Sequence, residues 1–381
     1  VKLALVVPGG VDRSGEYRVI PALLALIERL ARTHEVHVFA LQQEAAAGRW
    51  ELAGASIHNI GAGWTRWRAI AAIRAEHRRA PFDRIQAIFS GSCGLVAVAA
   101  ARLLRLPSLV HVAGGELVAL HAIDYGGRLQ WKGRLREACV LRAADVVTAA
   151  SAPVIEALRA LGVAARRVPL GVDLRTWPPL APRARRAGPA RLIHVASLNR
   201  VKDQPILLRA LAMLRDAGLA FRMDIVGVDT LQGEMQQLVH QLGLENCVNF
   251  LGFKTQRELR PLMEAADLLV MSSLHEAGPL VLLEAAVAGV PAVGTGVGHF
   301  VEWSPAAARS VPVGDADALA DAVRQVLADE PLRLRMVQAA QCRALLEDAD
   351  STARLFDALY RHACTESRES AGLAGDVKSK P

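Results

Sequence analysis

Ser272-Ser273-Leu274-His275-Glu276-Ala277-Gly278-Pro279-Leu280-Val281-Leu282-Leu283-Glu284-Ala285-Ala286-Val287-Ala288-Gly289-Val290-Pro291 is the stretch on which the reading of this chain turns. The apolar run before it, Leu268–Met271, reads as a strand ending near Ser272. Gly278-Pro279 then opens a helix, with Pro279 expected at the first helical position, where its missing N–H costs nothing. The free amides and the dipole of such a helix end attract a phosphate. Glu284 stands five residues beyond Pro279, about 7–8 Å along the helix axis. A carboxylate at that depth can accept hydrogen bonds from a ribose whose diphosphate sits at the helix start. Alanine and leucine surround Glu284 on nearly every side, so leaving it unpaired would be costly. The plainer alternative makes Glu284 a solvated helix residue and Glu276 an ordinary surface carboxylate.

The same strand–loop–helix alternation extends in both directions. Downstream of residue 190, Arg191–Ala196, Arg222–Val226, Val248–Leu251 and Pro291–Val293 read as strands, with Ile206–Ala217 and Leu231–Leu242 as helices between them. Upstream, Lys2–Val7, Glu35–Ala40, Ile85–Phe89, Leu109–Val112 and Val146–Ala149 read as strands. Tyr17–Arg32, Leu135–Ala144 and Pro153–Leu161 have helical spacing. Strands alternating with helices of this length predict parallel α/β sheets. Between the two series, Trp177-Pro178-Pro179-Leu180-Ala181-Pro182, followed by Arg183, Arg185 and Arg186, suits a linker rather than a packed element. The expected organisation is a first domain over 1–172, a linker over 173–190 and a second domain over 191–349. A terminal helix over 350–364 packs back on the first domain, and 365–381 forms a disordered polar tail. Two such domains facing each other leave a central cleft at the carboxyl ends of the strands, where open α/β sheets bind ligands.

Composition agrees with a folded two-domain protein: 381 residues, 52% hydrophobic and 22% charged. No apolar run is long enough to span a bilayer, and no signal-peptide pattern precedes Lys2–Val7. The five cysteines, Cys93, Cys139, Cys247, Cys342 and Cys364, are odd in number and without metal-type spacing. Reduced thiols and a cytoplasmic location are therefore expected. The net charge of +7 favours anionic partners. Aromatic residues make up only 4%, too few for the stacking platforms of a single-strand nucleic-acid binder, so no nucleic-acid partner is expected.

Glu276 and Glu284 match the Glu–seven residues–Glu signature of retaining GT-B glycosyltransferases, and the string around them resembles glycosyltransferase family 4. Further pieces fall in the family's order: Ala144-Asp145-Val146-Val147-Thr148 with Ser151, Val168-Pro169-Leu170-Gly171-Val172-Asp173, and Asp224-Ile225-Val226-Gly227. Val248-Asn249-Phe250-Leu251-Gly252 and Ala266-Asp267-Leu268-Leu269-Val270 follow. The likeness is close over roughly 145–330 and loose over 1–144. It implies a GT-B fold of two Rossmann-like domains, and a retaining, metal-independent hexosyltransferase with a nucleotide-diphosphate sugar as donor and no cofactor. The acceptor stays open: a glycan, a lipid-linked sugar or a small molecule. Alternatives are a non-catalytic nucleotide- or sugar-binding protein and a nucleotide-sugar epimerase of the same fold.

By that resemblance Glu284 would bind the ribose, Glu276 would face the transferred sugar, and amides near Gly278, Pro279 and Leu280 would hold the diphosphate. Phe253 would border the base. Lys202, placed between a strand and a helix, can reach a diphosphate, and a cation there stabilises the charge of the departing nucleotide. A solvated helix-start lysine is its bland alternative, although helix N-termini disfavour cations unless an anion binds. Many family members have an arginine where this chain has Ser197, which leaves Arg200 to compensate or Lys202 to act alone. Gly10, in the Pro8-Gly9-Gly10 loop, resembles the family's loop beneath donor and acceptor, and it would look the same as a turn with no ligand. The family's first-domain histidine aligns with Ala113, leaving His111 (or a core role for it) and Glu116 as candidates, with His121 and Asp124 behind. Gly298 matches a glycine of the donor-closing loop, whereas His299 departs from the second.

One further segment stands apart. Trp64–Arg84 holds Arg66, Arg68, Arg74, Arg78, Arg79 and Arg84 against Glu76 and Asp83. Trp64, Trp67, Ile70 and Ile73 read as one helix face. A basic amphipathic helix of this kind predicts peripheral contact with an anionic membrane at its inner face. Against this stands a helix packed on the sheet with a solvated arginine face.

Overall fold

The computed structural model describes residues 1–361. Cys364 and the expected tail over 365–381 lie outside the described residues, as does the end of the expected terminal helix. The protein is α/β, with two Rossmann-like domains built on parallel sheets.

The first sheet is centred on β1 (Lys2–Val7), whose six residues are all buried, as befits a parallel strand covered on both faces. After it come α1 (Pro21–Ala31), β2 (Glu35–Ala40), β3 (Gly48–Leu52), β4 (Ala55–Asn59), α2 (Thr65–Arg79), β5 (Arg84–Ile88) and α3 (Ser92–Leu104). The series continues with β6 (Ser108–Val112), α4 (Trp131–Ala143), β7 (Val146–Ala149), α5 (Ala152–Ala160) and the two-residue β8 (Arg166–Arg167). The strand order is β3-β4-β2-β1-β5-β6-β7-β8. β1 pairs in parallel with β2 and β5, while β3 joins β4 antiparallel at the edge. Helix α1 begins at Pro21 rather than near Tyr17. The preceding residues form a loop closed by Ile20 N–H donating to the Gly10 carbonyl at 3.0 Å and by a Val11–Val19 bridge.

The second sheet contains β9 (Ala190–Val195), α6 (Gln204–Asp216), β10 (Phe221–Val226), α7 (Glu234–Gln241), β11 (Val248–Gly252), α8 (Gln256–Ala265) and β12 (Leu268–Met271). It continues through α9 (Leu280–Val287), β13 (Ala292–Thr295), α10 (His299–Trp303), β14 (Arg309–Val311), α11 (Ala316–Ala328) and α12 (Glu330–Leu346). Its order is β11-β10-β9-β12-β13-β14, with every pair parallel. The order reverses between β9 and β12. The loops after these two strands therefore open onto the topological switch point, the place where open α/β sheets bind ligands.

By its contacts the chain divides into two compact units. One holds Val1–His111, Arg136–Thr148 and the described residues from Ala349 onward; the other holds Val112–Leu135 and Ala149–Asp348. In the first unit Arg29 Nε donates to Asp350 at 2.8 Å, and the Tyr360 hydroxyl donates to Gln86. The helix over residues 349–361 is thereby tied to α1 and β5. In the second unit the proline-rich stretch is more than a linker. Trp177 is 2% exposed and packs in the core with α9 and β12. Leu180 N–H donates to the Val287 carbonyl at 2.8 Å.

Candidate functional site

Lys202 and Glu276 arrive at the switch point of the second sheet from its two sides. Lys202 closes the short turn Arg200–Lys202 after β9, where the Asn199 side chain accepts from the Lys202 amide. Glu276 lies in the loop between β12 and α9. Lys202 Nζ donates to Glu276 Oε1 at 2.5 Å, and the Ser273 hydroxyl donates to the same oxygen at 2.8 Å. Both side chains keep partial access to solvent, at 22% and 12%. The result is a half-buried ion pair in front of a helix start, with an ammonium that a diphosphate can compete for.

Helix α9 begins at Leu280, one residue later than the sequence suggests. Pro279 is its N-cap, in extended backbone (φ −69°, ψ 114°), rather than its first helical residue. The proline still serves the same end, since it has no N–H to satisfy, and the first-turn amides precede the intrahelical ladder. Val281 through Val287 are buried all round, as in a helix with no polar face. Glu284 lies within that run at 4% exposure. Burial raises its carboxyl from 4.5 to about 7, and a hydrogen bond from Gln256 acts the other way. The Gln256 carbonyl oxygen accepts from Trp177 Nε1 at 2.5 Å, which leaves its amide group to donate to Glu284. A fully buried carboxyl with one amide donor keeps acceptor capacity, which suits it to a hydroxyl-bearing ligand.

The loop after β13 closes against this turn. Gly298 has φ +51°, and a Cβ there would lie 3.0 Å from both the Glu276 carbonyl oxygen and Pro279 Cδ, so only glycine fits. His299 is 1% exposed, and its Nε2 lies 2.9 Å from the point where a Cβ on Gly278 would stand. Burial opposes the charge on Glu302, yet His299, Arg167 and the Ala152 amide together hold its carboxyl at about 2. His299 thus backs the 276–279 turn as a buried side chain, where the family has a second glycine.

The segment over 113–133 belongs to the same unit. His275 Nε2 lies 3.3 Å from the Gly114 carbonyl oxygen, and Glu116 Oε2 accepts from the Gly114 amide at 2.7 Å. The Tyr125 ring lies 6.4 Å from that of His275. Burial, then the charges of Glu276 and Glu116, raise the Tyr125 hydroxyl. Tyr125, Gln256 and Trp177 join the candidate site although no local motif marks them, and His275 lies within the motif stretch without having been singled out.

Other candidates fall outside this group. His111 is fully buried on β6, with Nδ1 2.9 Å from the Thr148 hydroxyl and its ring edge-on to Phe356. Burial lowers its imidazole to about 3, and the ring packs as a core histidine of the first unit. Arg200 pairs with Glu234 at 2.9 Å, and both side chains are exposed. Ser197 is exposed and offers its carbonyl to Gln204 at 3.1 Å. Phe253 is 45% exposed beyond β11. Gly10, at φ +79°, has Ile20 Cγ1 2.5 Å from its would-be Cβ, which accounts for the glycine by packing alone. His121 and Asp124 are both exposed.

One cluster of metal-ligand type is formed among the described residues, far from the switch point in sequence. His37, His58 and Glu76 bring ligand atoms within 4.8 Å of one another from β2, β4 and α2. Arg49 and Arg79 each stand 3.6 Å from Glu76 Oε2, so the carboxylate of this cluster is also faced by two guanidinium groups.

Two family models match the chain. Glycosyl transferases group 1 covers residues 181–343, and the glycosyl transferase 4-like domain covers residues 19–171. The putative colanic acid biosynthesis glycosyltransferase WcaL of Escherichia coli is 32% identical over 160 residues, 40% of this chain and 39% of that protein. D-inositol 3-phosphate glycosyltransferase of Corynebacterium urealyticum is 32% identical over 185 residues, 46% of this chain and 43% of that protein. The chain thus spans about two fifths of the length of these curated relatives. Among solved structures, sucrose-phosphate synthase from Thermosynechococcus elongatus superposes with a TM-score of 0.80 at 20% identity, covering 96% of this chain and 100% of that one. Anabaena HepE in complex with UDP-glucose does so with a TM-score of 0.72 at 20% identity, over 96% and 99%. These likenesses in shape establish the fold, and with the two family models they show that the chain belongs to the GT-B glycosyltransferases of the family 4-like type.

Proposed function

We propose that the protein is a retaining glycosyltransferase that moves a hexosyl group from a nucleoside-diphosphate sugar to an acceptor hydroxyl, without a metal ion. The observation that carries this reading is the Lys202–Glu276 pair in front of α9, with buried Glu284 about one turn into that helix. Glu284, oriented by Gln256, accepts from the ribose hydroxyls. The first-turn amides of α9 and the Lys202 ammonium hold the diphosphate, taking the role that a divalent cation would otherwise fill. A solved complex of Anabaena HepE with UDP-glucose supports a nucleoside-diphosphate donor for this fold.

In the transfer step the bond between the anomeric carbon and the phosphate oxygen breaks. The acceptor oxygen bonds to that carbon on the same face, and its proton passes to the departing diphosphate. Glu276 is held by Lys202 and Ser273 and serves to orient the sugar, not to attack it. No protein nucleophile is assigned.

The test is to incubate the protein with a panel of nucleotide sugars in the presence of a chelator and follow release of nucleoside diphosphate. Slow release from one donor, with α-anomeric sugar as the first product from an α-linked donor, is expected. Inverted product would overturn retention, and an altered but unreleased sugar would indicate an epimerase.

A further inference from the structure

The helix over Thr65–Arg79 does not bury its tryptophans. Ala69 and Ile73 are fully buried and hold the helix to the first sheet, while Trp67 is 69% exposed and Trp64, just before it, 82% exposed. Trp67 therefore faces away from Ile73, contrary to the single-face reading of the sequence. It heads an outward stripe with Ala71, Arg74 and Arg78, spaced i, i+4, i+7 and i+11. Arg66, Arg68 and Arg79 are exposed beside it. The helix's one acid, Glu76, is buried and faced by Arg49 and Arg79. Arg66, Arg74 and Arg78 make no ion pair with a carboxylate among the described residues. Every charged side chain of this exposed stripe is a cation.

Trp64 adds an independent observation. Its backbone is left-handed at φ +50°, a region that bulky residues avoid, and it follows Gly63 at φ +75°. Left-handed backbone at a large side chain is ordinarily held by packing, and this indole has almost none. Two neighbouring indoles beside a row of arginines match an anionic bilayer surface: indoles settle at the headgroup level, and guanidinium groups pair with lipid phosphates. No helix of the described residues is long and apolar enough to cross a membrane, so the contact is peripheral.

We propose that the Trp64–Arg79 corner is a docking surface for anionic lipid bilayers, with Trp64 and Trp67 inserted at the headgroup level and Arg66, Arg74 and Arg78 on the lipid phosphates. The test is flotation of the full chain with vesicles of 30% phosphatidylglycerol in phosphatidylcholine, against vesicles of phosphatidylcholine alone. Binding to the anionic vesicles only is expected. Arg66→Gln/Arg74→Gln/Arg78→Gln should weaken it about fivefold per charge, on the order of a hundredfold in all. Trp64→Ser/Trp67→Ser should weaken it at least tenfold and abolish fluorescence quenching by brominated lipid. All five side chains are exposed, so both variants should keep the unfolding temperature of the parent. Equal binding to neutral vesicles, anionic binding unchanged in either variant, or binding to single-stranded RNA with none to vesicles would each overturn the proposal.

Discussion

Replacing Glu284 by glutamine should change both stability and nucleotide affinity, with pH dependences that can be worked out in advance. Burial holds this carboxyl at about 7 instead of 4.5, a difference worth about 3 kcal/mol. The folded-state value lies above the unfolded one. Its stabilising contribution is therefore fully present below pH 4.5 and is lost as pH rises through 7. Between pH 6 and pH 8 the parent protein should lose about 1.4 kcal/mol relative to Glu284→Gln, which has no such titration. The same carboxyl must be ionised to accept from two ribose hydroxyls. Nucleoside-diphosphate affinity should accordingly rise about tenfold over that window in the parent, beyond any rise seen in the variant. The variant carries the ligand's own phosphate titration, so the difference isolates Glu284. Urea unfolding at three pH values and calorimetric titration with the nucleoside diphosphate measure the two effects. Parallel stability profiles, or affinities with one common pH dependence, would refute the assignment of Glu284 as a buried, ligand-facing carboxyl.

Other substitutions separate the roles within the site. Lys202→Ala should cut donor turnover about 10²–10³-fold, as expected for loss of a positioned charge on the leaving group, with folding intact. Glu276→Gln should behave differently: it frees Lys202 from its 2.5 Å partner, so nucleoside-diphosphate affinity should hold or improve while transfer falls at least tenfold, measured by binding and by product formation. Gly298→Ala places a methyl 3.0 Å from the Glu276 carbonyl oxygen at φ +51°, and should lower stability by about 1 kcal/mol or more and weaken donor binding with it. His111→Gln, a change in the core, should leave donor affinity unchanged while lowering the unfolding temperature.

What could be read from the sequence follows the range of the interactions. The Ser272–Pro291 stretch is local: strand end, loop, proline and apolar helix occupy twenty successive positions, so the switch-point loop and the depth of Glu284 were readable there. Glu284's orienting partners were not. Gln256 begins another helix and Trp177 sits in a proline-rich run that reads as a linker, and only the packing of α8 beside α9 joins them. His111 looked plausible because a histidine near a strand end is a plausible ligand-facing group. Its burial depends on Thr148 and Phe356, far away along the chain. The β3–β4 pair escaped notice because Gly48–Leu52 is a half-exposed edge strand without a continuous apolar run. Trp64 and Trp67 were grouped with Ile70 and Ile73 on one helix face, whereas the sheet buries Ala69 and Ile73 and leaves both indoles exposed, a split that depends on how the helix is turned against distant strands.

The most direct test of the donor site is a thermal-shift comparison of the parent protein and Glu284→Ala against a panel of nucleoside diphosphates without metal. A ligand at a hundred times its dissociation constant stabilises by ~2.7 kcal/mol, enough for a shift of several degrees. The account predicts such a shift with at least one base, reduced or lost in the variant. A folded protein that no nucleotide stabilises, or an equal shift in Glu284→Ala, would contradict it.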